Sequence, residues 1–514
     1  MEFIPSSKIY LLNAPLDSKY RDTLYFDSEQ QQYEYFSKRV KKIFNHQSYQ
    51  RVFKNTLNLQ INAEECYSYN YLMFANPYNG SEKWFYAFIT SMEYLNESTT
   101  KIEYEIDVLQ TWHFDYNLNQ CFVEREHSLK DEIGDNTVEE RLEIGEYYLG
   151  SEYDITELNQ LSIVVAAPFN KAYTDQYGAF YSGVFQGVIF NAFPNTNDGA
   201  LAAAKFIGDA GAKSSSIIAV FLLPSFFAVG GSAKNFAHNI PIEYNIRRTS
   251  GMPPRNNKLY TYPYTFLYAS NRLGNSANYR YEYFSKISTE LNRVTFIFYG
   301  DMSCDSTIVM VPAGYKGLDT NFDEQLSLSS FPQLAYTTDS FKAWLAQSAG
   351  NAPVSAISSV LSGAMGGNLL GGVASAAMDL AQAPIANAVH GLLQQTAPTL
   401  TMPNQAHVPT GSNIRAAFSW TDFFICNKHI RPEFVDVVDD YFNAYGYATH
   451  RIKYPNRKVR KRWTYTKTVG CSLTGALPAD DSKRICDIFD AGVRFWVPSA
   501  LIGYMDIDNP PLGE

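Results

Sequence analysis

Apolar and polar side chains alternate along many short stretches of this chain. The clearest case is KIEYEIDV, where Ile102, Tyr104 and the two later apolar residues fall on one face and the charged residues on the other. Such alternation predicts a half-buried antiparallel strand. Similar patterns predict strands at Tyr67–Ala75, Trp84–Leu95, Lys101–Trp112, Leu161–Ala167, Gly178–Asn191, Ile217–Leu223, Tyr260–Ala269, Tyr279–Ser285, Val294–Tyr299, Thr307–Val311 and Ala416–Cys426, and a strand pair between Arg451 and Val469.

The small-residue run Asp198–Ile207 is predicted to be helical, and helices are predicted in two further places. The first helix begins near Ser28, and its apolar residues recur at Tyr33, Phe36, Val40 and Phe44. The second prediction is a helix over Pro432–Tyr445, where proline stands at the first helical position. The chain has 37 Tyr and 34 Phe residues, and both types favour pleated surfaces. The predicted class is therefore mainly β, with barrel or sandwich domains and some α+β elements.

A chain of 514 residues exceeds what one hydrophobic core organises, so several domains are expected. The predicted organisation is an N-terminal β-rich domain, a middle β-rich region of one or more domains, a hydrophobic loop and a C-terminal β-rich segment. Their boundaries are residues 1–130, 131–342, 343–414 and 415–514.

The loop in the C-terminal third is the most unusual segment. From Ala343 to Ile414 it carries one formal charge, Asp379, and it is rich in Gly and Ala. Long inserts of this kind are usually functional or disordered. Val354–Val373 has about the 20 residues that a bilayer-spanning helix needs. The sequence leaves two alternatives: a loop that enters membranes, and a flexible or core-lining loop with no membrane role.

Small residues four positions apart within the loop allow helices to approach closely in lipid. The residues predicted to be membrane-active are Val354, Ile357, Val360, Leu361, Gly363, Met365, Gly367, Leu369, Leu370, Gly371, Val373, Met378 and Leu380.

The formal net charge of -10 argues against general nucleic-acid binding, because attraction to phosphates is its main sequence-independent contribution. One segment of this acidic chain is, by contrast, strongly basic. It could contact DNA phosphates, form a solvated hairpin or pair with the acidic surface of a neighbouring subunit. Its members are Arg451, Lys453, Arg457, Lys458, Arg460, Lys461 and Arg462.

Signals for enzyme chemistry are weak. The chain has no P-loop, no G-x-S-x-G and no H-E-x-x-H motif, and no cofactor, metal or catalytic residue is predicted. Glu124, Glu126 and His127 cluster in VEREHS, where a solvated or interface ion pair is favoured over acid–base work or metal binding. His429 and His450 are interpreted as ordinary polar residues.

The start of the chain has no signal-peptide pattern, so we expect synthesis inside a cell and release by another route. Six cysteines lie far apart and none forms a C-x-x-C pair, which predicts buried free thiols. They are Cys66, Cys121, Cys304, Cys426, Cys471 and Cys486.

Several stretches in order resemble the tail tube (tail knob) protein family of short-tailed phages of the phi-29 group, which infect Gram-positive bacteria. The resemblance covers most of the chain, and the uncharged insert lies where that family carries a long hydrophobic loop. The stretches are Lys83–Ile89, Tyr104–Trp112, Phe122–Ser128, Ile133–Tyr147, Tyr441–Lys458 and Trp463–Pro511.

This resemblance implies a β-rich homohexameric tube that closes the far end of a phage tail and conducts the genome without binding DNA specifically. It implies contacts with other tail proteins on the collar side. The hydrophobic loop, about Gly350–Gly411 here, would plug the lumen and later form a channel in the host membrane. The expected locations are the host cytoplasm during assembly, the virion, and the host membrane on infection.

Two alternatives remain at this point. One is a purely structural tail tube or adaptor whose loop plugs the lumen but does not enter lipid. The other is a cell-wall hydrolase of the tail tip, because a catalytic carboxylate pair can be invisible without a fold.

Overall fold

The computed structural model describes residues 7–47, 55–78, 81–168, 180–185, 188–194, 199, 202–203, 206, 219–228, 235–272, 274–284, 292–300, 306–315, 325–328, 331 and 422–513. This part of the chain is mainly β and falls into more than one domain, so the predicted fold class is confirmed. The predicted hydrophobic loop lies outside the described residues.

Two compact units make up the fold, and each combines distant parts of the sequence. Unit 1 contains Met1–Glu146, Ile246–Tyr264 and Ile430–Glu514, and unit 2 contains Tyr147–Asn245 and Thr265–His429. The chain therefore passes between the units four times. The predicted division of the sequence into four segments stays a prediction.

A six-stranded antiparallel sheet forms the first half of unit 1, in the strand order β3-β1-β5-β6-β7-β4. One face of this sheet buries the side chains that alternate along β7, with Ile102 and Tyr104 almost fully enclosed. The predicted alternation is confirmed there, but the predicted strand Lys101–Trp112 was wrong at its end, because β7 ends at Ile106 and Val108–Thr111 is helical. The strands are β1 (Ser7–Leu12), β3 (Val40–Gln47), β4 (Thr56–Leu59), β5 (Tyr71–Tyr78), β6 (Ser81–Asn96) and β7 (Thr99–Ile106).

The second sheet of unit 1 has the order β2-β25-β23-β9-β22, and β8 and β24 form a separate pair. It joins residues from both ends of the chain, and only β2 and β25 run parallel. The strands are β2 (Asp22–Leu24), β8 (Tyr116–Leu118), β9 (Cys121–Glu126), β22 (Tyr447–Lys453), β23 (Trp463–Val469), β24 (Leu473–Gly475) and β25 (Val493–Trp496).

Helices of unit 1 pack against these sheets around a core that contains Trp463, Trp496 and Phe36. A second core cluster lies between the first sheet and α2. The helices are α1 (Glu29–Ser37), α2 (Ala63–Cys66), α3 (Val108–Thr111), α6 (Pro432–Tyr445) and α7 (Ala479–Ala491).

The first predicted helix is confirmed at its start and wrong at its end. The Ser28 hydroxyl caps α1 by accepting from the Gln31 backbone N–H at 3.2 Å. The helix stops at Ser37, and both Val40 and Phe44 lie in β3, where they pair with β1. Burial of Phe44 in the sheet outweighs its helical spacing from Phe36.

Unit 2 contains three four-stranded sheets around one core cluster. Their orders are β10-β21-β16-β17, β12-β13-β11-β14 and β15-β18-β19-β20. The elements are β10 (Tyr147–Glu152), α4 (Thr156–Asn159), β11 (Leu161–Pro168), β12 (Phe180–Phe185), β13 (Val188–Pro194), β14 (Ala219–Pro224), α5 (Ser225–Ala228), β15 (Asn235–Pro241), β16 (Thr265–Ser270), β17 (Ser276–Tyr279), β18 (Arg293–Gly300), β19 (Ile308–Pro312), β20 (Leu326–Leu328) and β21 (Phe424–Ile430).

Most predicted strands of unit 2 have counterparts, but several boundaries were wrong. Tyr260–Ala269 was predicted as a strand, whereas Asn257–Tyr260 is a 3₁₀ turn and β16 begins at Thr265. Gly178–Asn191 was predicted as one strand, whereas β12 and β13 form an antiparallel hairpin. The predicted strand Tyr279–Ser285 begins where β17 ends, and a 3₁₀ turn follows at Tyr281–Tyr283. Part of the predicted strand Ala416–Cys426 lies outside the described residues, and β21 begins at Phe424.

Five of the six cysteines fall within the described residues, and all five are free thiols. Cys66, Cys121 and Cys426 are buried as predicted. Cys471 and Cys486 are only partly buried, so the prediction was wrong in degree for these two. Burial raises the pKa of each described thiol above its ordinary value.

Candidate functional site: the charged cluster beside strand β9

The predicted membrane-active residues, Val354 through Leu380, lie outside the described residues. Within the part of the chain that the structure describes, no helix is long and apolar enough to cross a membrane. The membrane role of the insert therefore stays a prediction. The charged residues that the sequence analysis named lie within the described part of the chain.

Strand β9 brings two of the predicted charged features together. It carries Glu124 and Glu126 and lies between β22 and β23, which hold the two ends of the Arg451–Val469 segment. The two predicted strands exist, but they do not pair with each other as a hairpin would. Both strands run antiparallel to β9 and hence parallel to each other, so the connection between them has to cross the sheet end.

The Glu126 carboxylate is the centre of this cluster. Its side chain is almost fully buried, and it accepts hydrogen bonds from Lys453 Nζ and from the Asn456 backbone N–H. Burial raises the pKa of Glu126 above its ordinary value, although Lys453 acts in the opposite direction. A buried carboxylate with a bound ammonium is a structural ion pair.

Glu124 forms a half-exposed ion pair with Lys467 at 2.9 Å, which confirms the predicted kind of interaction for this residue. Glu126 also forms an ion pair, with Lys453, but it is buried and not solvated. For His127 the prediction was wrong, because the ring is buried and bonded to backbone groups. The strand bulges between its pairings with Lys467 and Thr468, so simple alternation does not apply.

His127 is held in its neutral form by its neighbours. The Tyr465 backbone N–H donates to Nδ1 at 2.8 Å, and Nε2 lies 3.2 Å from the Asn443 carbonyl oxygen. With Nδ1 accepting, the ring proton is on Nε2 and is donated to that carbonyl. Burial accordingly lowers the pKa of His127 well below its ordinary value.

Arg460 lies in the interior of unit 1. Its guanidinium is 3.5 Å from the Asp131 carboxylate, and both side chains are almost fully buried. The Tyr447 hydroxyl also donates to Asp131 Oδ1 at 2.6 Å. Arg460 Nη1 donates to the Asn509 carbonyl oxygen at 3.4 Å. This member of the basic run therefore cannot meet DNA phosphates.

Most other members of the basic run also contact groups of the same chain. Lys458 pairs with Asp27 at 2.6 Å, and Arg462 Nε donates to the Asp508 carbonyl oxygen at 3.0 Å. The Arg457 guanidinium lies over the Tyr116 ring at 5.3 Å. Arg451 is exposed and has no ion pair within the described residues. The prediction of a solvated hairpin was therefore wrong for Lys453, Lys458 and Arg460, which pair with carboxylates of the same chain.

A second set of buried charges surrounds Glu140, which sequence reasoning missed. Its carboxylate accepts from Arg125, from Lys258 and from the Ala448 backbone N–H at 2.9 Å. The side chains of Glu140 and Lys258 are each 1% exposed. Burial lowers the pKa of Lys258 below its ordinary value.

Asp439 in α6 fixes the segment Ile246–Tyr264 in the same way. Its fully buried carboxylate accepts from Arg255 Nε at 2.8 Å and from the Asn256 backbone N–H at 3.1 Å. Asp439, Glu140 and Asp131 each join segments more than 100 residues apart. No local sequence signal could have indicated these partners.

The chemistry of the cluster is charge neutralisation. Each buried carboxylate faces a cation or several N–H donors, an arrangement typical of structural networks. Within the described residues, no group of His, Cys, Asp and Glu could hold a metal ion. Within the basic run, Lys453, Lys458 and Arg460 have their charges neutralised by carboxylates of the same chain.

Comparison with known proteins identifies the class. Residues 6–117 match the family model of the caudoviral major tail protein N-terminus. The fold is similar to the structure of the bacteriophage C1 tail knob protein gp12, with a TM-score of 0.63, 16% sequence identity, and coverage of 98% of this chain and 100% of that chain. The fold is that of a structural phage tail protein.

Residues 231–509, more than half of the chain, match the C-terminal domain of the tail knob protein gp9 of Bacillus phage phi29. The tail knob proteins gp9 of Bacillus phages phi29 and PZA are 25% and 24% identical to the chain, and each alignment covers 99% of this chain and 100% of the relative. The chain therefore belongs to the phi29 tail knob protein gp9 family, as the resemblance indicated.

Family membership makes this chain a structural component of a short phage tail, where it assembles with other tail proteins and with copies of itself. The relatives are structural tail proteins, so the prediction that the chain is not an enzyme is confirmed and the cell-wall hydrolase is rejected.

Proposed function

We propose that six copies of this chain form the distal tube of the tail, and that the genome leaves through its lumen. The insert 343–414 plugs the lumen before infection, then moves out and opens a channel in the host membrane. The observation that carries the proposal is this insert: 72 residues with one formal charge, in a member of the tail knob family.

The composition of the insert supports entry into lipid. Charged residues are the most costly ones in a bilayer core, and the insert has only Asp379. Val354–Val373 lacks any charge, and Gly363, Gly367 and Gly371 would share one face of a helix there. Several copies around one axis would allow such helices to line a closed pore.

The charged cluster supports passage of DNA without specific binding. Three of the seven basic residues in the Arg451–Arg462 run, Lys453, Lys458 and Arg460, pair with carboxylates of the same chain. The net charge of -10 per copy favours repulsion of phosphates over retention. A duplex that met acidic walls would slide without being held.

The second candidate is a tail tube whose insert only plugs the lumen. Serine and glycine dilute the apolar character of the insert, and this observation favours a plug over a strong membrane span. In that case the tail would reach the host membrane by the action of other tail proteins. The proposed locations also differ, because only the first candidate places the chain in the host membrane on infection.

Release of a trapped dye from anionic liposomes distinguishes the two candidates. The intact chain is compared with a deletion of residues 350–411 and with Leu370→Lys, which places a charge within the insert. Leu501→Lys is the matched control, since Leu501 is 73% exposed outside the insert. The membrane candidate predicts leakage with the intact chain and with Leu501→Lys, and little leakage with the other two.

Equal leakage by all four proteins would mean that the insert is not the membrane-active part. If none releases dye at any pH while all still assemble, the insert acts as a plug and the second candidate holds.

A further inference from the structure

Three cysteine thiols from different elements of unit 1 meet at one end of the second sheet. Cys121 is the first residue of β9, Cys471 lies two residues after the end of β23, and Cys486 lies in α7. The Cys471 thiol is hydrogen-bonded to the thiols of Cys486 and Cys121. All three are free thiols in the structure. We name these three residues the thiol cluster.

The turn that carries Cys471 is fastened to helix α7. The Asp490 carboxylate of α7 accepts from the Thr468 hydroxyl at 2.7 Å. It also accepts from the backbone N–H groups of Gly470 and Cys471, at 3.1 Å each. Cys486 precedes Asp490 by four residues, so both lie on the same face of the helix. The hydrogen bonds that fix the turn therefore also hold the Cys471 and Cys486 side chains next to each other.

Two members of the thiol cluster are partly open to solvent. Cys471 and Cys486 are only partly buried, whereas Cys121 is 6% exposed. A small molecule in solution can therefore reach the first two thiols. The surroundings of a phage tail also change when the particle leaves the cell that made it. Cytosolic thiols are kept reduced, whereas disulfides form and persist on virion surfaces.

We propose that Cys471 and Cys486 are a disulfide modification site, whose two thiols are oxidised to one disulfide after the particle leaves its host. The oxidant is a small-molecule disulfide outside the cell. A disulfide requires its two Cα atoms to lie within about 7 Å of each other and its two sulfurs to approach to about 2 Å. Two thiols that are already hydrogen-bonded to each other meet this condition with little movement of the backbone.

The oxidation consists of two thiol–disulfide exchanges. The Cys486 thiol loses its proton to solvent and attacks one sulfur of the small disulfide, which releases one small thiolate and leaves a mixed disulfide on Cys486. Cys471 then loses its proton and attacks Cys486 Sγ, and the second small thiolate leaves. In total, two protein thiols are oxidised, and one small disulfide is reduced to two thiols that take up the two protons.

The surroundings of each thiol set the order of these two steps, because the thiolate is the attacking species. Burial raises the pKa of Cys486, but the hydrogen bond from Cys471 acts in the opposite direction. The pKa of Cys471 is raised by burial and further by its neighbours Cys486 and Cys121. Cys486 therefore reacts first. Once Cys486 is held in a mixed disulfide, it no longer opposes the ionisation of Cys471.

The disulfide fastens α7 covalently to the end of β23. Ile485, Ile488 and Phe489 of α7 belong to the core cluster that also contains Trp463 of β23. A covalent link between two elements of one core removes conformational freedom from the unfolded chain, and this stabilises the folded state. The oxidised chain should therefore resist unfolding better than the reduced chain.

The test compares samples of the full chain that have been incubated with reduced or with oxidised glutathione. Free thiols are alkylated, and mass spectrometry of the unreduced peptides then identifies the linked cysteines. In the oxidised sample we expect a peptide that links Cys471 to Cys486 and the loss of two alkylated thiols. We also expect a thermal unfolding midpoint that is higher by about 5 °C or more.

Serine variants assign the pair. Cys471→Ser and Cys486→Ser should each abolish both the linked peptide and the rise of the midpoint. Cys121→Ser should keep both, and so should Cys66→Ser, the matched control at a buried thiol on α2. The readout is the difference between the oxidised and the reduced sample of each variant, so the effect of the substitution itself on the fold cancels.

The proposal is overturned if Cys471 and Cys486 of the unchanged chain remain open to alkylation after oxidation, or if the reaction stops at a mixed disulfide with glutathione. A linked peptide that joins Cys471 to Cys121 would also overturn it. So would a midpoint that still rises on oxidation of Cys471→Ser and Cys486→Ser.

Discussion

Two glutamates on β9, Glu124 and Glu126, lie in very different surroundings. Glu124 is paired with a lysine near the surface, as an acidic residue on a strand usually is. Glu126, two positions later, is buried, and its carboxylate accepts from Lys453 Nζ and from the Asn456 backbone N–H. Burial depends on strands from the far end of the sequence, so no local pattern could distinguish the two glutamates.

Breaking the buried ion pairs at Glu140 should destabilise unit 1 strongly. Glu140→Gln leaves Arg125 and Lys258 without their carboxylate partner in a buried site. Loss of one partner of a buried pair costs about 3–5 kcal/mol. Urea unfolding followed by tryptophan fluorescence measures the effect, because Trp463 and Trp496 are buried in the core of this unit.

The matched control for this substitution is Glu93→Gln. Glu93 forms an exposed ion pair with Lys101, and such pairs are screened by solvent. Its unfolding midpoint should hardly change. Equal midpoints for Glu140→Gln and Glu93→Gln would show that the buried charges do not hold the fold.

The buried histidines predict how stability depends on pH. Burial lowers the pKa of His127 well below its ordinary value and that of His113 to about 4. Below about pH 6.5 the unfolded chain binds protons at these sites that the folded chain does not bind. Stability should therefore fall from pH 6.5 towards pH 4, by about 1.4 kcal/mol per pH unit for each histidine.

Asp107 acts in the opposite direction. Burial raises its pKa to about 6, so between pH 6 and pH 4 the folded chain holds a proton that the unfolded chain loses. Protonation of Asp107 in the folded chain therefore raises the free energy of unfolding as the pH falls through that window. Unfolding measured at several pH values should show a shallower decline for His127→Gln and a steeper decline for Asp107→Asn. Identical slopes would contradict the assignment of these groups.

At the scale of elements, prediction from sequence worked where one local signal dominates. Helix α6 was predicted with its observed bounds, because Pro432 starts it and Gly446 ends it. Helix α7 was missed, although Pro478 and the acidic first turn mark its start. Unit 1 also draws β9, β22 and β23 into one sheet from distant segments, and strand order of that kind has no local signature.

Substitution of Gly446 tests how closely the end of α6 approaches β9. Its φ is +66°, and a Cβ there would lie 2.2 Å from the Glu126 carbonyl oxygen. Gly446→Ala should therefore cost more than the 1–2 kcal/mol or so of left-handed backbone strain alone. Gly251→Ala is the control, because Gly251 also has a positive φ but no atom near its missing Cβ. Equal losses of unfolding free energy would exclude a close approach at Gly446.

At the scale of the whole molecule, family and class could be inferred from the sequence because ordered stretches resemble the family along most of the chain. The fold class followed from aromatic usage and alternation. The division into two units could not be inferred, since each unit is assembled from separate segments. The role of the insert was inferred from its charge and length alone, and it remains a proposal.

The central claim is that the insert opens the host membrane for the genome. The most direct measurement compares phage particles whose tails carry the intact chain with particles whose tails carry the deletion of residues 350–411. Electron microscopy first establishes that both tails are assembled, and labelled DNA then reports genome transfer into host cells. We predict that both particles adsorb, and that only particles with the intact insert depolarise the membrane and deliver DNA. Equal delivery by the deletion particles would contradict the claim.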